Sequence, residues 1–243
     1  MHRNSQLEYQ RVLDSLITKG SRWLDIGCGT SVLPLWLRNS VEIQRELIAR
    51  CDVACGCDPV DDRPHAAGLP KYVGDCSTLP YPDNFFTIVT ANMVVEHVDD
   101  PARFASEVRR VLAPGGTFVL HTPNLHHPLI ALAAALPNPL VRWFASHADG
   151  RDSADIFPTR YRINTPTAIR SLPGFELQDL QCVATGPLLH KIPLLRSLES
   201  LFMRQAEHSR LRNLQADWIA LLRKPAPFLL PAAAQAQQPA LAA

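Results

Sequence analysis

Short apolar runs alternate with stretches of helical periodicity through the first half of the chain. The periodicity predicts a helix over Leu7–Thr18, a strand over Arg22–Ile26, a helix from Val32 to about Ala49 and a strand over Val53–Cys57. After a loop rich in Asp, Pro and His come a short strand at Lys71–Val73, a strand at Thr87–Ala91, a helix at Pro101–Val111 and a strand at Thr117–His121. Pro101 suits the first turn of its helix, with Asp99 and Asp100 as candidate caps. Helices alternating with short apolar strands imply a parallel sheet covered on both faces.

The second half is patterned differently. Pro128–Phe144 is apolar and broken by Pro137 and Pro139, which predicts one or two short helices, and a further helix is expected near Thr165. Phe175–Val183 and Trp218–Arg223 read as strands. Between them, Pro187–His208 is predicted helical, with Leu194, Leu195, Leu198, Leu201 and Phe202 on one apolar face. Core packing is the ordinary fate of such a face; a homodimer contact or a membrane surface is the alternative. Beyond Lys224 the composition shifts to Pro, Ala and Gln, so residues 225–243 are expected to form a disordered tail.

Composition narrows the function classes. The 243 residues are 47% hydrophobic, enough for one substantial core. With 24 basic and 23 acidic residues the formal charge is +1, so no global field draws the protein to nucleic acid or to an anionic membrane. Met1-His2-Arg3-Asn4 leads into a polar helix with no apolar targeting core, and no stretch approaches the ~20 apolar residues of a membrane span; a cytoplasmic location is expected. Of the 6 cysteines, Cys55 and Cys57 lie two apart in a predicted strand and share a face, as small buried hydrophobes do. There is no C-x-x-C pair, and no metal site is expected. Cys28 and Cys76 fall in candidate ligand loops, which fits free thiols better than disulfides.

The chemistry concentrates where strands end. Trp23-Leu24-Asp25-Ile26-Gly27-Cys28-Gly29-Thr30 runs an apolar strand into Gly-x-Gly, a turn that lets main chain approach a ligand closely. The third glycine of a dinucleotide fingerprint is missing, since Val32 holds its place, which argues against a pyrophosphate. Asp58 ends the second strand and can accept both hydroxyls of a ribose. Asp75 can accept an adenine amino group, and the Cys76 N–H can donate to a ring nitrogen.

The segments L-D-I-G-C-G-T, G-C-D-P, G-D-C-S-T-L-P-Y-P-D-N-F-F-T-I-V, E-H-V-D-D-P and L-A-P-G-G-T-F, spread over roughly residues 20 to 125, resemble class I S-adenosylmethionine-dependent methyltransferases. The branch they resemble includes quinone-biosynthesis C-methyltransferases and small-molecule O-methyltransferases. The resemblance implies an α/β, Rossmann-like doubly wound sheet of seven strands, mostly parallel with an antiparallel C-terminal pair and helices on both faces. It implies S-adenosyl-L-methionine as cofactor. Asp25, Gly27, Cys28 and Gly29 would then line or adjoin its methionine end, Asp58 the ribose, Asp75 and Cys76 the adenine, and Asn92 and Met93 the sulfonium. The chain departs from the pattern at Ser31, where a glycine is common, and at Thr87, where an aspartate is usual.

One domain is expected over residues 1–224, with a substrate or lid insertion at about 126–162. In that insertion Arg151, Arg160, Tyr161 and Arg162 are candidates to bind a phosphate or carboxylate. Methyl transfer from a sulfonium needs alignment more than a base, so no catalytic residue is assigned. If a hydroxyl is the acceptor, His97, His121, His126 and His127 are candidate bases, with Tyr161 a weaker one. The expected activity is methylation of a small-molecule, glycan or lipid-like acceptor at oxygen or carbon. Protein or RNA methylation, a non-catalytic cofactor-binding scaffold and an oxidoreductase are the competing classes.

Overall fold

A computed structural model describes residues 4–60, 62–136, 158–185, 197, 199–202, 205–206 and 211–226. Seven strands form a single sheet: β1 (Ser21–Ile26), β2 (Cys51–Asp58), β3 (Lys71–Val73), β4 (Phe86–Asn92), β5 (Leu112–Pro123), β6 (Glu176–Val183) and β7 (Asp217–Arg223). Their order is β3-β2-β1-β4-β5-β7-β6. The first five are parallel, and β7 runs antiparallel to both β5 and β6. This is the expected doubly wound architecture, with its switch point between β1 and β4. Ligands bind beyond the carboxyl ends of such strands.

The sheet is accompanied by α1 (Ser5–Leu16), α2 (Ser40–Arg50), α3 (Pro101–Val111), α4 (Pro128–Ala135) and α5 (Pro166–Arg170). Alternation along β1 explains the two-sided core, because Trp23 and Leu24 point to opposite faces. Trp23 belongs to a buried cluster with Tyr9 and Leu13 of α1 and Leu47 of α2, while Leu24 belongs to another with Phe104 and Val108 of α3 and Ile169 of α5. The α3 start matches its expected cap: the Asp100 side chain accepts from the N–H groups of Ala102 and Arg103, ahead of Pro101.

Two elements differ from the sequence expectation. The helix predicted from Val32 begins only at Ser40. Pro34 offers no N–H, Asn39 sits at φ 57°, and the buried Gln44 side chain gathers the intervening turn by bonding Val32 N at 2.8 Å, Ser31 Oγ at 2.8 Å and Ser40 O at 3.0 Å. The strand predicted at Thr117–His121 is longer, and Pro114-Gly115-Gly116 lies inside β5. Pairing jumps from Phe86↔Leu112 to Ile88↔Thr117, so residues 113–116 bulge, with Gly115 at φ 77°.

One helix in the segment expected over Pro128–Phe144 is present as α4, which ends at Ala135; residues 137–144 lie outside the described residues, as do Arg151 and most of the expected insertion. The same holds for Leu194, Leu195, Leu198 and residues 227–243. Within the excursion expected at Pro187–His208, the described residues are helical; Phe202 packs inward on Ile130, whereas Leu201 is exposed. Among the described residues, no helix is long and apolar enough to cross a membrane.

Candidate active site

The Gly27–Gly29 turn is fastened from below. Gly27 N and Cys28 N both donate to Cys57 O, at 2.7 and 3.2 Å, and Lys71 Nζ donates to Gly29 O at 2.8 Å. Gly27 takes φ 69°, and a Cβ there would overlap the Val94 side chain, so this position requires glycine. The Asp58 carboxyl faces the turn: Oδ2 accepts from Gly29 N and Oδ1 from Val60 N, both at 3.0 Å.

A cavity of about 440 Å³ opens at these strand ends, a size typical of small-molecule sites. Gly27, Asp58 and Met93, anticipated as cofactor contacts, line it together with His97, anticipated as a base. Met93 adopts φ 56°, an uncommon conformation for a non-glycine residue, and is held there by Met93 N donating to His121 O at 2.8 Å. Glu96, Asp99, Pro158 and Arg160 also line it. Arg160 N and Tyr161 N donate to Glu96 O, and Arg160 Nε pairs with Asp99 Oδ1 at 2.6 Å. Arg160, a candidate anion binder from sequence, therefore arrives at the cavity already matched to a carboxylate. Glu96, Asp99 and Pro158 were not anticipated as wall residues, because pairing across some 60 positions leaves no local signal.

The remaining anticipated cofactor contacts are not among the residues that line this cavity. Asp25 is 1% exposed and accepts from the Thr90 hydroxyl, which itself accepts from Trp23 Nε1. Burial raises its pKa to about 7, with the Thr90 hydrogen bond opposing and the nearby Asp58 adding to the rise. Cys28 is buried against Gly56. Asp75 is exposed; it accepts from Ser77 N at 2.8 Å and Ser77 Oγ at 2.6 Å, which hold its carboxyl below the usual range. Its neighbour Cys76 meets Cys57 sulfur to sulfur at 3.2 Å. Asn92 is a clamp: Nδ2 donates to Gln6 Oε1 and Val32 O, and Oδ1 faces His121 Nδ1 at 2.8 Å.

The histidines separate by position. His97 lines the cavity, and its Nδ1 lies 3.0 Å from Pro158 O. A carbonyl only accepts, so Nδ1 carries the proton and the neutral ring has its lone pair on Nε2. Burial lowers the His97 pKa, against the effect of that hydrogen bond. His121 is fully buried, stacked on Tyr9 at 5.3 Å, with Nε2 3.6 Å from Asp217 Oδ2. His127 is buried beside Phe202, and neither ring nitrogen has a hydrogen bond among the described residues. His126 is exposed. Tyr161, at φ 51°, packs with Ile130, Ala184 and Ala216.

A carboxyl at the end of β2, a turn that tolerates no Cβ and a small-molecule cavity between them suit an adenosyl ligand, so the residues present fit the cofactor the sequence implies. Residues 1–158 match the family model for a methyltransferase domain. The chain belongs to the class I S-adenosylmethionine-dependent methyltransferases.

Among relatives of this methyltransferase, a ubiquinone/menaquinone biosynthesis C-methyltransferase of Geobacter sulfurreducens is 33% identical over 107 residues, covering 42% of this chain and 42% of that protein. A ubiquinone biosynthesis O-methyltransferase of Bradyrhizobium sp. is 35% identical over 132 residues, covering 51% and 48%. The matches thus span less than half the length of these relatives. A methyltransferase of Methanosarcina mazei, at 18% identity, shares the fold with a TM-score of 0.58 over 88% of this chain and 97% of that one.

Proposed function

We propose that this protein transfers the methyl group of S-adenosylmethionine to a small-molecule acceptor, at oxygen or carbon. The observation that carries this reading is one cavity lined by Gly27, Asp58 and His97 together. Two relatives are named for quinone biosynthesis, one acting at carbon and one at oxygen, and both acceptor atoms stay within the reading. A glycan or lipid-like acceptor is compatible with the same cavity. The near-zero net charge favours these over RNA.

The cofactor supplies an activated methyl group when bound. Asp58 would hold the ribose, with Asp75 and Cys76 at the adenine end; Asp25, Gly27, Cys28 and Gly29 would line or support the methionine end. Met93, fixed in its left-handed conformation, sets the corner from which Asn92 braces α1 and β5. Alignment of two reactants by these groups lowers the barrier without a covalent step. Where the acceptor is a hydroxyl, His97 takes its proton at Nε2, and the lowered pKa keeps the ring neutral for that task. His121 and His127 are buried and do not line the cavity; His121 braces Asn92 through its Nδ1 rather than exchanging protons with an acceptor.

Titration calorimetry of the folded protein with S-adenosylhomocysteine and with NAD is the first test: heat with the former alone supports the reading, and no heat with the former defeats it. Transfer of labelled methyl is then scored on hydroxylated aromatic and prenylated acceptors against bulk RNA and protein. Label confined to RNA or protein would overturn the small-molecule assignment. With an active hydroxyl acceptor in hand, the His97→Gln variant should lose about 10²- to 10⁴-fold in kcat. It should also lose the acid-side fall of the rate, which in the native enzyme lies below the ordinary histidine pKa.

A further inference from the structure

Two of the six cysteines meet at the nucleoside end of the proposed site. Cys57 Sγ and Cys76 Sγ are 3.2 Å apart, and both thiols are free. Cys57 is buried on β2 immediately before Asp58; Cys76 is partly exposed immediately after Asp75. The strand end and the loop are already tied by Gly74 N donating to Asp58 O at 3.0 Å, and both sulfurs lie near Gly74 O, at 3.6 and 3.9 Å. The pair therefore joins the two segments that carry the candidate ribose and adenine carboxylates.

We propose that Cys57 and Cys76 are a dithiol modification site that closes to an intramolecular disulfide under a peroxide oxidant and thereby weakens nucleoside binding. The consequence for binding rests on the reading of Asp58 and Asp75 given above; formation of the bond does not. Cys76, the accessible partner, is oxidised first: its sulfur attacks one peroxide oxygen, the O–O bond breaks, and sulfenic acid and one water form. The Cys57 sulfur then attacks the Cys76 sulfur, the S–O bond breaks, and the departing hydroxyl leaves with the Cys57 thiol proton as a second water. Two thiols are oxidised by two electrons and one peroxide is reduced. Contact with the Cys76 sulfur and burial push the Cys57 thiol up and keep it from reacting with oxidant itself; its position 3.2 Å from the Cys76 sulfur, not its acidity, makes it the group placed to resolve the sulfenic acid.

Bonding brings the sulfurs from 3.2 Å to about 2.05 Å and draws the loop toward β2 by up to roughly 1 Å, the rest being taken up by side-chain rotation. Asp75 shares its turn with Ser77 through two hydrogen bonds and moves with it. A displacement of that size separates the two carboxylates from the spacing they hold in the reduced protein.

The test uses the full chain, fully reduced and then treated with hydrogen peroxide near equimolar. Denaturing alkylation with N-ethylmaleimide followed by mass spectrometry should show the alkylatable thiols falling from six to four, and peptide mapping should find a 57–76 cross-link. Calorimetry should show S-adenosylhomocysteine binding weakened by on the order of tenfold, restored by dithiothreitol. Linkage then requires bound S-adenosylhomocysteine to disfavour the bridge to the same extent. Six thiols remaining, oxidation of Cys76 past the sulfenic acid without a cross-link, or a cross-link between other cysteines would overturn the site. A 57–76 cross-link with unchanged affinity would overturn its effect on binding. Failure of the reduced protein to bind S-adenosylhomocysteine would instead remove the functional reading, while the mass measurement still decides the bond.

Discussion

Replacing Asp25 by Asn separates the acid's charge from its shape. The side chain is 1% exposed at the end of β1, and burial raises its pKa from 3.8 to about 7. The folded protein thus keeps this proton over a range in which the unfolded chain has released it. Folding stability falls as pH rises through that window, because the native state binds more protons than the denatured state. A gap of about 3 pKa units corresponds to ~4 kcal/mol, the cost of ionising this carboxyl in place. Asparagine has nothing to ionise, and its amide oxygen can still accept from the Thr90 hydroxyl. Urea unfolding of both proteins, without cofactor, at pH 4 and at pH 8 gives the comparison. The stability of Asp25→Asn relative to native should improve by ~4 kcal/mol between the two pH values, whatever the offset at pH 4. Titrations remote from this site cancel in the difference. A difference that does not change with pH would refute the assignment of a raised pKa to Asp25.

Asp58→Ala should weaken S-adenosylhomocysteine binding by about 1 to 3 kcal/mol, roughly 5- to 150-fold, because it removes the acceptor on the cavity wall and releases Gly29 N and Val60 N; unchanged calorimetric affinity would place the ribose elsewhere. Gly56→Ala would drive a Cβ into Cys28 Sγ and to within 2.8 Å of Cys28 Cβ, and a loss of about 1 to 3 kcal/mol is expected in thermal or urea unfolding. Adding Cys28→Ala should recover part of that loss, and purely additive effects would show that the two residues do not collide. Lys224→Met should cost about 2 to 4 kcal/mol, since Nζ donates to Asn84 Oδ1, Arg109 O and Leu112 O at 2.6 to 2.7 Å beneath the α3–β5 junction. A variant as stable as native would mean that water replaces all three bonds.

Particular residues show how far the sequence could be read. The Asp100–Pro101 helix start and the strands near Trp23 and Val119 follow from local capping and from alternation, and the structure has them where expected. Val32–Asn39 does not follow. Its apolar spacing mimics a helix, but Val32, Leu33 and Leu37 are buried while Leu35 and Trp36 stand 57% and 66% exposed, an arrangement set by the Gln44 side chain reaching back across the turn. The site divides in the same way: Gly27 and Asp58 announce themselves by position at strand ends, whereas Glu96, Asp99 and Arg160 reach the cavity through contacts between segments remote in the chain.

Periodicity, caps and strand-end motifs are local properties; they indicated a parallel sheet covered on both faces, and the family resemblance the motifs carry supplied the doubly wound, seven-strand arrangement. Which carboxylate meets the cavity, which histidine stands at its wall with a defined tautomer, and which two thiols touch depend on burial and on partners brought together only when the strands assemble. Electrostatic and hydrogen-bond energies act over a few ångströms in space, and separation along the chain does not measure that distance.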